Sequence, residues 1–130
     1  MARSAGETWD IVTSVGFTAL AVCAARALDA GLQPPLANDG FAAGFVAASG
    51  EPNLIAALDN ADMSSAAAFN AQWVGVRTRF FDEFFADATR SGTRQAVILA
   101  AGLDSRAYRL DWPAGHPVYE VDQPRVLDFK

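Results

Sequence analysis

The stretch VILAAGLDSRAYRLDWPAGHPVYEVDQPRVLDFK, residues 97–130, decides the fold of this 130-residue chain. It opens with a continuous apolar run, 97–100, of the kind that forms a parallel strand buried on both faces. A turn at Gly102 and a short helix over 105–110 are expected to follow, before a second apolar run, 118–122, forms the next strand. The order strand, helix, strand predicts an α/β fold that contains one parallel βαβ unit.

The second predicted strand delivers the carboxylate of Asp122 to the carboxyl edge of the sheet, where open α/β folds bind their ligands. A carboxylate there can accept hydrogen bonds from both hydroxyls of a ribose, although capping of the helix that Pro124 opens is the alternative. Gly102 and the small Ala101 would let the backbone pass close to such a ligand, and an ordinary strand-to-helix turn is the alternative. A strand, a glycine turn and an acidic residue at the end of the next strand together make half of a nucleotide-binding site.

Three charged residues follow the glycine turn. Asp104 can accept a hydrogen bond from an ammonium group of a ligand, or it can cap the short helix over 105–110. Arg106 and Arg109 lie three residues apart on that helix, so a solvated or salt-bridged face is expected for both.

The N-terminal part of the chain is predicted to be helical. Helices are expected over 8–30, from a cap at Asn38 or Asp39 to Gly50, over 54–58 and over 65–88. In the last of these, large apolar residues recur at helical spacing and are expected to be buried: Phe69, Trp73, Val76, Phe80 and Phe84. No repeat is visible, so we expect a single unit in which residues 1–92 form a helical cap and residues 93–130 begin an α/β domain.

Composition argues against several classes of function. The formal net charge of −5 is unlike that of proteins that bind the phosphate backbone of nucleic acids. No signal peptide or membrane span is expected, because polar and charged residues interrupt the apolar region that begins at Ile11. Cys23, the single cysteine, cannot form an internal disulfide, which fits a protein of the reducing cytoplasm. One cysteine and one histidine cannot supply the ligands of a structural zinc, so no metal is predicted.

Four blocks of the sequence resemble a family of bacterial S-adenosylmethionine-dependent methyltransferases related to the leucine carboxyl methyltransferases. They are TWDIVTSVGFTALAVCAARALDA at 8–30, PLANDGFA at 35–42, VRTRFFDEFF at 76–85 and the stretch at 97–130. The resemblance covers essentially the whole chain, and it departs from the family pattern at Gly40, where a proline usually follows the aspartate. It implies that the helical cap precedes the first βαβ unit of a Rossmann-like methyltransferase sheet. Members of the family are expected to be well over twice as long, so the chain is predicted to be a truncated, N-terminal portion.

The resemblance implies S-adenosyl-L-methionine as the cofactor and a small-molecule methyl acceptor, with a carboxylate or a hydroxyl group. Six residues are predicted to bind the cofactor: Asp122, Gly102, Arg77, Asp104, Ala101 and Glu120. Arg77 is the candidate for the carboxylate of the ligand, because its planar guanidinium matches two oxygens and its helix edge can lean toward the strand ends. The phenylalanines at 80, 81, 84 and 85 are expected to form core rather than an aromatic box around the sulfonium. No catalytic residue is identified, since methyl transfer from a sulfonium depends mainly on in-line positioning.

Two other functions stay open from the sequence. The first is a non-catalytic remnant that binds or oligomerises, because two parallel strands leave an apolar sheet edge open to pairing with another chain. The second is a fragment of a dinucleotide-binding oxidoreductase, which shares the strand, the glycine turn and the strand-end acid. Its pyrophosphate-binding turn usually contains several glycines, whereas the turn here contains one.

Overall fold

The computed structural model describes residues 8–60 and 66–130, and within them six helices accompany one parallel sheet of two strands. The helices are α1 (Ser14–Ala30), α2 (Ala42–Ser49), α3 (Pro52–Asp59), α4 (Ala66–Arg90), α5 (Arg106–Arg109) and α6 (Pro124–Phe129). The strands are β1 (Ala96–Leu99) and β2 (Val118–Val121). The predicted α/β organisation, with the helices of the N-terminal part followed by one parallel βαβ unit, is confirmed at this level.

Helix α1 lies at the centre of the helical layer and packs against α2, α3 and α4. Its start was predicted six residues too early, because Asp10 and Thr13 form a turn of their own before the helix. Oγ1 of Thr13 donates to Oδ1 of Asp10 at 2.8 Å, and the same oxygen accepts from the amide of Val12 at 3.1 Å. Such local side-chain bonds compete with helix formation, so the helix begins at Ser14.

The hydrophobic core joins the helical layer to the βαβ unit. Leu103 follows β1 and Val126 lies on α6, and both are buried with residues of the N-terminal helices: Leu20, Cys23, Ala24, Ala42 and Val46. Burial raises the pKa of the Cys23 thiol to about 11, which keeps it protonated and apolar in character. Buried residues of the N-terminal helices and of the βαβ unit therefore share one core. Within residues 8–60 and 66–130, no helix is long and apolar enough to cross a membrane.

The aromatic stripe of α4 was wrongly predicted to be buried. Phe69 is 73% exposed, Phe80 is 64% exposed, and Trp73, Val76 and Phe84 are also exposed. The helix instead turns its opposite side to α1, where the buried residues are Ala68, Ala71, Val74, Gly75 and Thr78. Small side chains let the two helix backbones approach closely, and at about 100° per residue the phenylalanines then point away from that interface.

The prediction that β1 is buried on both faces is also wrong for the described residues. Ala96 and Ile98 are buried, but Val97 is 56% and Leu99 is 77% exposed. In β2, Tyr119 and Val121 are exposed as well. Within the described residues the sheet is therefore covered on one face only.

Gly75 gives a test of the close packing between α1 and α4. A Cβ atom at this position would lie 2.3 Å from Oδ1 of the buried Asp29 and 3.1 Å from Cβ of Leu36. We expect Gly75→Ala to lower the free energy of unfolding by about 1–2 kcal/mol, because the steric cost exceeds the gain of about 1 kcal/mol in helix propensity. Chemical denaturation measures the change.

Gly44 of α2 is the matched control, because a Cβ atom there would have no neighbour within 4 Å. Gly44→Ala is expected to raise the free energy of unfolding by up to about 1 kcal/mol. A Gly75→Ala protein as stable as Gly44→Ala would disprove the close packing.

Candidate functional site

The parallel pairing of β1 and β2 brings the ends of both strands to the same edge of the sheet. The register pairs Ala96 with Val118 and Leu99 with Val121. Immediately beyond it, the amide of Ala101 donates to the carbonyl oxygen of Val121 at 3.1 Å. The turn after β1 thus begins directly beside the end of β2.

Asp122 lies at this edge and is hydrogen-bonded to the turn. Its Oδ2 accepts from the amide of Gly102 at 2.7 Å, and its Oδ1 accepts from the amide of Gln123 at 2.7 Å. Gln123, not Asp122, occupies the N-cap position of α6. Asp122 is therefore not the cap of this helix, which was the alternative to a ligand-binding role. A carboxylate offers about four acceptor sites, so these two bonds leave capacity for hydroxyl groups of a ligand.

A cleft with a volume of about 400 Å³ opens at the same edge. It is lined by five of the six residues predicted to bind a cofactor: Arg77, Ala101, Gly102, Asp104 and Asp122. The opposite wall, which the sequence did not indicate, consists of Trp9 and part of α1: Val15, Gly16, Thr18, Ala19, Val22 and Arg26. The cleft has charged groups near the strand ends and mostly apolar groups on the α1 side.

Arg77 lines the cleft, whereas Glu120 does not. Arg77 is exposed on α4, and its guanidinium makes no ion pair with any residue of 8–60 or 66–130, so it is available to an anionic group in the cleft. Glu120 does not line the cleft, and its carboxylate is paired with the ammonium group of Lys130 after α6. The structure therefore does not bring Glu120 together with the other five predicted residues.

Asp104 lines the cleft, and its carboxylate also binds Arg106. Oδ1 of Asp104 accepts from the amide of Arg106 at 2.9 Å, but Ser105 occupies the N-cap position of α5, so Asp104 is not the cap of that helix. The guanidinium of Arg106 pairs with the same carboxylate and donates to Oδ1 of Asp82 at 2.7 Å. Arg109 donates to both carboxylate oxygens of Asp82, at 2.8 and 2.9 Å. The two arginines of α5 are thus salt-bridged, and they fix the turn against α4.

A buried polar cluster behind the turn was missed by sequence reasoning. Nε of Arg26 donates to Oδ2 of Asp39 at 2.8 Å, and Oγ of Ser105 donates to the same oxygen at 2.8 Å. Burial disfavours the charge of Asp39, but these bonds and the guanidinium charge outweigh it and hold the pKa of Asp39 below its ordinary 3.8. The available signal was Arg26 itself, a charged residue in an otherwise apolar stretch of helix, since a buried charge needs a partner.

Two residues of the turn have positive φ angles, which gives a paired prediction. At Gly102 φ is +50°, and a Cβ atom would lie 3.0 Å from Cβ of Ala19 on α1. At Ala100 φ is +52°. We expect Gly102→Ala to destabilise the protein by about 1–2 kcal/mol and Ala100→Gly to stabilise it by about 1 kcal/mol, because left-handed backbone is strained for every residue with a Cβ.

Thermal or urea unfolding of the two variants measures both changes. Effects of the same sign in Gly102→Ala and Ala100→Gly would contradict the left-handed backbone of the turn.

Metal coordination has no site in the part of the chain that the structure describes. There, no group of three or more His, Cys, Asp and Glu side chains is arranged to hold a metal ion.

The fold and the cleft define an α/β protein with a ligand cleft at the carboxyl ends of its parallel strands. The family model of leucine carboxyl methyltransferase matches residues 19–130. The chain belongs to the leucine carboxyl methyltransferase family, as its sequence blocks predicted.

The chain is also similar to proteins that are provisionally named S-adenosyl-L-methionine-dependent methyltransferases. One from Mycobacteroides abscessus is 72% identical over 130 residues, which are 100% of this chain and 43% of the relative. One from Rhodococcus jostii is 54% identical over 98% of this chain and 43% of the relative. One from Mycobacterium avium is 53% identical over 98% of this chain and 42% of the relative. The chain thus spans less than half the length of these relatives.

Proposed function

We propose that the chain is the cofactor-binding part of an S-adenosyl-L-methionine-dependent methyltransferase, and that the cleft at the strand ends holds the cofactor. The observation that carries this proposal is the Asp122 carboxylate, which is bonded to the Gly102 amide at the mouth of the cleft. Membership of the leucine carboxyl methyltransferase family and the names of the relatives support the same cofactor. In this proposal, residues 1–92 form the helical cap and residues 93–130 form the first βαβ unit of a Rossmann-like domain.

Each group in the cleft is proposed to bind one part of the cofactor. Asp122 accepts hydrogen bonds from the ribose hydroxyls, and Gly102 with Ala101 gives the ligand close access to the backbone. Arg77 binds the carboxylate with its guanidinium, which has no ion-pair partner among residues 8–60 and 66–130. Asp104 accepts from the ammonium group, with Arg106 holding its carboxylate in place. Glu120 is left out of these contacts because it is paired with Lys130.

The proposed reaction is transfer of a methyl group to a small-molecule acceptor with a carboxylate or a hydroxyl group. S-Adenosyl-L-methionine supplies the methyl group on an activated sulfonium. The residues of the cleft then have to orient the reactants in line and exclude water rather than form a covalent intermediate. The protonated, buried thiol of Cys23 is compatible with a reducing compartment, and we place the protein in the cytoplasm.

Calorimetric titration of the chain with S-adenosylhomocysteine, the product form of the cofactor, tests the proposal. We expect saturable binding with a stoichiometry of about one, which an excess of NAD leaves unchanged. Tighter binding of NAD would favour a dinucleotide-binding oxidoreductase, and absence of binding to the folded chain would favour a non-catalytic remnant. Circular dichroism on the same sample establishes that the chain is folded.

A further inference from the structure

Arg26, Asp39 and Ser105 form a buried group that joins the helical layer to the turn of the cleft, and we refer to these three residues as the latch. Arg26 lies on α1, Asp39 precedes α2 and Ser105 ends the turn after β1. The Asp39 side chain is fully buried, and that of Arg26 is 10% exposed. One carboxylate oxygen, Oδ2 of Asp39, accepts from both Arg26 and Ser105 at 2.8 Å.

The latch also holds the backbone of the turn. Nη2 of Arg26 donates to the carbonyl oxygen of Leu103 at 2.6 Å. Leu103 lies between Gly102, whose amide binds Asp122, and Asp104, whose amide donates to the carbonyl oxygen of Ala101 at 2.8 Å. Every residue from 102 to 105 is therefore held by a hydrogen bond, and two of these bonds come from the latch.

The backbone conformation of the turn after β1 is one that needs support from its surroundings. Ala100 and Gly102 both have positive φ angles, and for Ala100 this conformation is unfavourable in a free chain. A strained turn persists only where its surroundings fix it, and a preformed site loses less conformational entropy when a ligand binds. A buried ion pair contributes little net stability by itself, so conformational specificity is the physical role that suits it.

We propose that Arg26, Asp39 and Ser105 are positioning residues that hold residues 102–105 in the conformation that the cofactor requires. This inference rests on the proposed function of the cleft. Asp39 and Ser105 do not line the cleft, so they act through the turn and not by contact with the ligand. The N-terminal helical layer would thereby determine the affinity of a site that the βαβ unit provides.

The test compares Ser105→Ala and Asp39→Asn with Glu51→Ala. Ser105→Ala removes one buried hydroxyl, and Asp39→Asn keeps the size of the side chain but removes its charge. Glu51 caps α3 by accepting from the amide of Leu54 at 2.7 Å, so its loss destabilises the chain without touching the turn. Binding of S-adenosylhomocysteine is measured by calorimetry at a temperature at which all four proteins are folded. Hydrogen exchange at the amides of Gly102 and Asp104 is measured on the same proteins without ligand.

We expect Ser105→Ala and Asp39→Asn to weaken binding at least about fivefold and to accelerate exchange at both amides, while Glu51→Ala changes neither. Unchanged affinity and exchange in Ser105→Ala would overturn the inference, even if Asp39→Asn fails to fold. An equal loss of affinity in Glu51→Ala would also overturn it, because general stability would then explain the effect. If the unaltered chain binds no S-adenosylhomocysteine, the proposed function fails, and the exchange rates still decide whether the latch positions the turn.

Discussion

Replacing Asp39 with alanine is expected to lower the free energy of unfolding by about 3–5 kcal/mol, the largest effect predicted for any side chain of this protein. The substitution leaves the guanidinium of Arg26 inside the protein without its counter-charge, and Arg26 is only 8% exposed. It also removes the acceptor of the Ser105 hydroxyl and of the Phe41 amide. Urea unfolding followed by circular dichroism measures the loss.

The Asp87–Arg90 ion pair of α4 provides the control for Asp39. Both of its side chains are at least 66% exposed. Asp87→Ala is therefore expected to change stability by no more than about 0.5 kcal/mol. A loss below about 1 kcal/mol in Asp39→Ala would mean that the buried pair is solvated in solution and that the latch does not exist as described.

The pH dependence of stability gives an independent check on Asp39. Its pKa in the folded protein is lower than the ordinary 3.8, so its ionised form stabilises the fold above that pH. This contribution is lost as the pH falls through the lower, folded-state pKa. The difference in unfolding free energy between the unaltered protein and Asp39→Asn should thus be constant near neutral pH and shrink below about pH 4. A difference that grows on acidification would contradict the assignment.

Asp122→Ala is expected to weaken the binding of S-adenosylhomocysteine by more than about tenfold, because a charge-assisted hydrogen bond to the ribose contributes about 1.5–3 kcal/mol. Calorimetry of the folded variant measures the change. Asp122→Asn should lie between the alanine variant and the unaltered chain, since it retains one acceptor oxygen without the charge.

Glu120→Gln is the matched control for Asp122, because Glu120 is a carboxylate of β2, two residues before Asp122, that lies outside the cleft. We expect its affinity for S-adenosylhomocysteine to be unchanged. Full affinity in Asp122→Ala would show that this carboxylate has only a structural role at the turn. A loss in Glu120→Gln as large as that in Asp122→Ala would restore the original prediction that Glu120 binds the cofactor.

The edge of the sheet was predictable because its geometry follows from local patterns. Two apolar runs separated by a glycine turn and a short helix give parallel strands, and parallel strands end at the same edge. Gly102 and Asp122 therefore had to lie close together, and they are joined by a hydrogen bond of 2.7 Å. Glu120 lies on the same strand, but its pairing with Lys130 depends on where α6 packs, which no local pattern specifies.

Helical periodicity found the apolar stripe of α4 but could not say which side of the helix faces α1. The helix has large residues such as Phe80 on one side and small residues such as Gly75 on the other. In the structure the side with the small residues is the one that is buried against α1. The latch was beyond sequence reasoning for a different reason. Arg26 and Asp39 are 13 residues apart, and Asp39 and Ser105 are 66 apart, so only the folded core brings them together.

The most direct test of the proposed cofactor site is to map where S-adenosylhomocysteine binds, from the backbone amide resonances of the isotope-labelled chain. We predict that the resonances of Gly102, Asp104 and Gln123 shift on titration, while those of Gly92 and Gly115 do not. A groove of about 510 Å³ between α4 and residues 110–113, which include Trp112, is another place large enough for the ligand. Shifts concentrated around Trp112, or no shifts at all in the folded chain, would contradict the assignment of the cofactor to the cleft at Asp122.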